Sequence, residues 1–104
     1  MKRFDIGTMP AYGRGEKSRN VLYETPEFKM RIIALGRGER IPECEMSSYV
    51  VFICVEGEAD IRAGEDRITL SAGQAVVSEP STLSMESASG ARLLGVQIMK
   101  EGRR

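Results

Sequence analysis

The sequence predicts an all-β domain, a sandwich or barrel of short strands. Stretches such as 28-FKMRIIAL-35 alternate with period two, the signature of half-buried strands. Turn residues recur between such stretches about every 8 to 12 residues, the spacing of strands in a sandwich or barrel. No segment sustains a helical period, and no repeat or low-complexity tract interrupts the pattern.

Residues 1–27 read as an irregular arm. Gly7, Pro10, Gly13, Gly15, Asn20 and Pro26 break any long element, and only 20-NVLYE-24 has the makings of a short strand. Residues 28–104 read as the domain proper. In the strand 28–35, Phe28, Met30, Ile32 and Ala34 share one face and Lys29 and Arg31 the other. If 28–35 lay at a sheet edge, its unpaired backbone groups would need a cover. The turn 36-GRGER-40 leads into 41-IPECEM-46, which sets Cys44 and Met46 on one face and Glu43 and Glu45 on the other. Ser47-Ser48 turns the chain and is expected to pair this strand with 49-YVVFICV-55, whose β-branched and aromatic content makes it the clearest strand in the chain. A strand, a turn at 64-GED-66 and a second strand ending in Leu70 follow. Ser71-Ala72-Gly73 turns into 74-QAVVS-78, which Glu79-Pro80 stops. The strands 82-TLSMES-87 and 91-ARLLGVQIM-99, divided by 88-ASG-90, close the pattern.

A chain of 104 residues can bury a working core without disulfides or a structural metal. Fifteen Lys and Arg balance fifteen Asp and Glu, so no global charge draws the protein to nucleic acid or to an anionic membrane, and neither is expected as a partner. The basic N-terminus lacks the apolar stretch of a signal peptide, and no run approaches a membrane span. A cytoplasmic protein with two reduced thiols is expected, which argues against a disulfide between Cys44 and Cys54.

The chain has no histidine. That removes Ser-His-Asp and Cys-His pairs and a His general base. The remaining acid–base candidates are Glu43, Glu45, Glu56, Glu79, Glu86, Tyr12, Tyr23 and Tyr49. Glu43 and Glu45 lie on the face expected to be solvated, and Gly36-x-Gly38 is a turn with no phosphate-loop context around it.

Gly38, five residues, Cys44-x-Met46, three residues, Val50, six residues and Gly57 reproduce a known spacing. It resembles the first motif of the cupins, the RmlC-like jelly-roll superfamily, where the two inner positions are His-x-His and the next is Glu. The segment 67-RITLSAGQAVVSEPS-81 resembles the following cupin segment, and Met85 falls near the place of the family's third His. The resemblance spans roughly residues 28–99. It implies a cupin-like double-stranded β-helix, or jelly-roll barrel, with an N-terminal arm. It also implies a homodimer built on the arm and edge strands, with Tyr12 and Tyr23 lining a mouth or an interface, although packing of the arm alone explains them as well. Each usual ligand position carries another residue: Cys44 and Met46 for two His, Val50 for Glu, Met85 for the third His. The usual metal centre therefore does not carry over, and no cofactor is expected.

Cys44, Met46, Val50, Phe52, Cys54 and Met85 are the candidates for the barrel interior, taken by their shared faces and by the resemblance. Two readings of this sulfur-rich set stand beside each other. Met and free Cys serve as core filler. Thiolate and thioether also suit a soft ion such as copper, with Cys44, Met46 and Met85 as a trigonal set. Val50 favours filling, since an apolar residue contributes nothing to a charged ion. The function expected is a small-molecule-binding protein of cupin type without the usual metal centre. A Cu(I)-type site, an isomerase- or lyase-type enzyme and an interaction or sensor domain are the alternatives. For a sensor, apolar surroundings would leave the Cys44 thiol inert.

Overall fold

A computed structural model describes residues 1–13 and 19–99. Among them run eight strands: β1 (Val21–Glu24), β2 (Phe28–Leu35), β3 (Arg40–Met46), β4 (Tyr49–Ala63), β5 (Asp66–Ser71), β6 (Ala75–Ser78), β7 (Ser81–Glu86) and β8 (Ala91–Ile98). All pairings are antiparallel. No helix among the described residues is long and apolar enough to cross a membrane.

The strand β4 organises the molecule. Its first half pairs with β8 and β6, and with β2 and β1 beyond β8 it forms a first sheet. Its second half pairs with β5 and β7, and with β3 beyond β7 it forms a second sheet. The register with β8 shifts between Cys54 and Glu56, and the chain crosses from one sheet to the other at Gly57. Gly57 has φ +77°, and a Cβ there would lie 2.1 Å from the carbonyl oxygen of Gly90. Only glycine fits that backbone conformation and that approach. The adjacent Ser87, 2% exposed, donates to the carbonyl of Glu58 at 2.6 Å and accepts from the amide of Gly90 at 2.8 Å.

The core fills the space between the sheets. Leu35, Val50, Phe52, Cys54 and Leu93 enter from the first sheet, and Ala59, Ile61, Leu70, Leu83 and Met85 from the second. Burying such side chains contributes about 1.5–3 kcal/mol each.

Three expectations need correction. The 41–46 and 49–55 segments do not form a hairpin: β3 pairs with β7, so Ser47-Ser48 carries the chain between sheets instead of turning it within one. The 28–35 strand is not an edge, because β1 and β8 pair on its two sides. The edges of the second sheet are β5 and β3, and those of the first are β1 and β6. Last, the face of β2 carrying Phe28, Met30 and Ile32 is not the barrel face. Directly opposed residues share a face, and Ile33 and Leu35 oppose the core residues Leu93 and Ala91. Lys29 and Arg31 therefore lie on the inner face, and Phe28, Met30 and Ile32 on the outer one.

Candidate functional site

Of the six interior candidates, Val50, Phe52, Cys54 and Met85 are buried in the core, and Met46 packs half-buried against it. Cys44 departs from the group and is exposed. It shares a face with Leu83, its partner on β7, so its direction agrees with the alternation. But β3 is the outermost strand of its sheet, and a bulge between Ile41 and Cys44 shifts its register. The apolar surroundings expected for Cys44 are therefore not there, and its thiol is open to solvent. Met85 opposes Ile41 on β3 and Ile61 on β4, one inward-facing pair away from Cys44 and Leu83.

Those placements bear on metal binding. At the positions where the cupin resemblance would put three His and a Glu stand an exposed thiol, a half-buried thioether, a buried Val50 and a buried Met85. Val50 and Met85 are surrounded by hydrocarbon. Among the described residues no three His, Cys, Asp or Glu groups come together in a way that could hold an ion. This donor set does not fit the divalent ion that three imidazoles and a carboxylate would hold.

Both cysteines are free thiols. Cys54 is 1% exposed and donates to the carbonyls of Glu56 and Gly57, each at 3.5 Å. Burial pushes its thiol above the ordinary value, and the nearby Glu58 carboxylate pushes in the same direction against the backbone hydrogen bond at Glu56. Cys54 is thus an unreactive core thiol. Glu43, Glu45, Glu56, Glu79 and Glu86 are all exposed. Tyr23 and Tyr49 are exposed as well, and Tyr12 lies half-buried in the arm with the Arg19 guanidinium 4.1 Å above its ring.

Sequence reasoning missed the polar end of the inner face. Across the first sheet run Glu24, Lys29, Gln97, Val50 and Ser78 as directly opposed neighbours. Gln97 donates from Nε2 to Ser48 Oγ at 3.2 Å, and Lys29 Nζ lies 3.6 Å from Glu24. In the next row Arg31 opposes Gly95 and, beyond it, Phe52. Arg31 is half-buried and has no hydrogen bond or ion pair among the described residues. The C-terminal end of β3, with Cys44 and Met46, lies at the same end of the barrel, because β3 leads through Ser47 and Ser48 into the start of β4, and Ser48 accepts from Gln97 there. The signal that could have found this end was Lys29 and Arg31 sharing a face with Ile33 and Leu35.

The deeper interior is packed. A Cβ on Gly95 would touch Ile33 at 3.2 Å and Phe52 at 3.6 Å. A cleft over β3, β7 and β4, edged by Arg40, Asp60, Arg62, Arg67 and Glu86, holds about 70 Å³. Ligand pockets usually hold ~300–1,000 Å³, so this cleft is too small to be one.

Two antiparallel sheets rolled about one core, sharing a bent central strand, define a jelly-roll barrel. Neither a family model nor a curated protein sequence matches the chain. Solved structures do. A conserved protein with a double-stranded β-helix domain from Klebsiella pneumoniae superposes with a TM-score of 0.79 at 17% identity, over 98% of this chain and 93% of that one. A Thermus thermophilus protein gives 0.78 at 24% identity, over 94% and 97%. A cupin superfamily protein from Desulfitobacterium hafniense gives 0.71 at 15% identity, over 77% and 74%. The fold is that of a small cupin.

Proposed function

We propose that the protein binds a small organic anion, a carboxylate or phosphate ester, at the open end of the barrel. Arg31 is the observation that carries this reading. Its guanidinium offers five donors, it faces inward in a partly desolvated position, and no described residue accepts from it. A planar, permanently charged fork in that setting suits a two-oxygen anion. Lys29 adds a second cation on the same face, and the Gln97 and Ser48 pair adds neutral polar groups beside it. Met46 and the exposed Cys44 supply an apolar and polarizable wall at the same end, so the ligand would present one charged head and a small apolar body.

The test is a thermal-shift and NMR-titration screen comparing small carboxylates and phosphate esters with their neutral amide and alcohol counterparts. Anions are expected to raise the melting temperature and to shift the Arg31 and Gln97 resonances. Arg31→Ala should abolish the effect and Arg31→Lys should retain only part of it. Equal responses to charged and neutral compounds, or anion binding untouched by Arg31→Ala, would rule the site out.

A further inference from the structure

Strands β2 and β8 carry three cations, and two of them are already engaged. Arg92, on the outer face, is held by the N-terminal arm: its Nη1 donates to the carbonyls of Ile6 at 3.2 Å and Met9 at 2.7 Å, while Nε lies 3.9 Å from Glu56. Lys29, on the inner face, is drawn to Glu24, its opposed neighbour on β1, with Nζ 3.6 Å from the carboxylate. The neutral groups of the same row are committed too. Gln97 donates to Ser48 Oγ at 3.2 Å, and Ser78 Oγ donates to the carbonyl of Glu79 at 2.8 Å. Arg31 alone of the three cations keeps all its donors, with no hydrogen bond or ion pair among the described residues.

Given the anion site proposed at Arg31, on which this rests, we infer that its ligand is a monocarboxylate and that Glu24 sets the choice by neutralising Lys29. Charge is the first reason. On the inner face of the first sheet, two cations less the Glu24 carboxylate leave one positive charge. The inner residues of the second sheet at this end, Leu83, Cys44, Met46 and Ser81, carry no carboxylate or amine. Asp66 and Glu79 are exposed, at the free edge of β5 and in the turn after β6, where solvent screens them. One negative charge balances that face. A carboxylate brings one, whereas a phosphate monoester brings about 1.5 to 2 at neutral pH. Donor geometry is the second reason. A carboxylate presents two coplanar oxygens, which a single guanidinium fork satisfies. A phosphoryl group presents three, and the third needs another donor. The other cation of the face is Lys29, and a dianion would have to take it from Glu24. Burial is the third. The Lys29 side chain is 24% exposed and that of Glu24 54%, so the carboxylate reaches in from the solvent side. The ammonium it holds is partly shielded from water, where charges are screened less than on an open surface.

NMR titration of the full chain with butyrate and with propyl phosphate, read at Arg31 and Gln97, tests this at pH ~7.5, where the phosphate ester is a dianion. The wild type is expected to bind butyrate more tightly. Glu24→Gln frees Lys29 and should shift the ratio of the two dissociation constants about fivefold toward propyl phosphate, the size expected of a partly exposed charge pair. Adding Lys29→Gln to Glu24→Gln should cancel the shift. Glu24 is exposed, so its variant should keep the wild-type circular dichroism. If Glu24→Gln fails to fold, Lys29→Gln alone decides, and it should move the ratio further toward butyrate. A wild type that prefers propyl phosphate, or a ratio that Glu24→Gln leaves unchanged, overturns the inference. If both probes still lose affinity in Arg31→Ala, the anion site itself stands. Binding of neither probe, or of both untouched by Arg31→Ala, removes that site and the inference with it.

Discussion

The outer faces of the two sheets are made differently, although one strand, β4, runs through both. On the second sheet the outer face holds Arg40, Glu58, Asp60, Arg62, Arg67 and Glu86 against an inner face of Ala59, Ile61, Leu70, Leu83 and Met85. That is the clean inside–outside alternation of a sheet with one face in water. On the first sheet the outer face holds Tyr49, Val51, Ile53, Leu94, Val96 and Ile98, and the inner face is apolar only at one end. A sheet apolar on both sides has something to cover on both sides. The difference teaches that the second sheet is finished by solvent, whereas the first is finished by the arm only where Ile32 is buried, and leaves Tyr49, Val77 and Ile98 exposed.

The largest expected effect comes from the joint that makes the two halves distinct. Gly57→Ala must place a Cβ at φ +77° and 2.1 Å from the Gly90 carbonyl oxygen. Left-handed strain and backbone displacement together are expected to cost about 4 kcal/mol or more. Urea unfolding should show a lowered midpoint or no folded baseline at all. A near-normal midpoint would mean that β4 can cross between the sheets without glycine.

That glycine also shows how much of the architecture was legible. The spacing from Gly38 to Gly57 marks the turn and the bend that the backbone requires, both at positive φ. Strand positions followed from turn chemistry and alternation. Partners did not: Ser47-Ser48 has the composition of a tight turn, but whether a short turn closes a hairpin or hands the chain to another sheet depends on contacts far away in sequence. Faces failed for a related reason. In 28-FKMRIIAL-35 both faces carry apolar residues, so the charged pair Lys29 and Arg31 looked like the solvent side. The long-range pairing of Ile33 with Leu93 places that side inward. At the candidate site, the framework positions Cys44, Met46, Val50 and Met85 were readable from spacing. The exposure of Cys44 was not, because it follows from β3 being an edge. Arg31 and Gln97 come together only through the β2–β8 ladder.

The next effect sharpens the contrast between the outer faces. Ile32 lies on the outer side of the first sheet, and at 1% exposure it is buried like a core residue. Ile32→Ala is expected to cost about 2–4 kcal/mol, as for a buried aliphatic side chain in any core. Its counterpart on the second sheet is Thr69, which donates to Asp60 at 2.6 Å at an exposed position. Thr69→Val should cost no more than about 1 kcal/mol. Chemical denaturation of both variants measures the difference directly. Equal losses would mean that the arm does not make a second core over the first sheet.

The smallest effect concerns the two thiols and is best seen as a slope. A thiol reagent should modify Cys44 in the native protein and reach Cys54, 1% exposed, only on unfolding. The folded Cys54 thiol titrates above its ordinary value because burial disfavours the thiolate. Below the unfolded thiol's value of about 8.5 both states hold the proton, and the stability this group contributes is fully present. As pH rises past that point the unfolded chain releases the proton first, so stability falls until the folded thiol also titrates. Cys54→Ala should therefore flatten the decline of stability above pH ~8.5 relative to wild type. Cys44→Ala should leave the slope unchanged while removing the native labelling. Reversed behaviour of the two variants would place the buried thiol on β3 and not on β4, and the open edge of the second sheet would have to be closed.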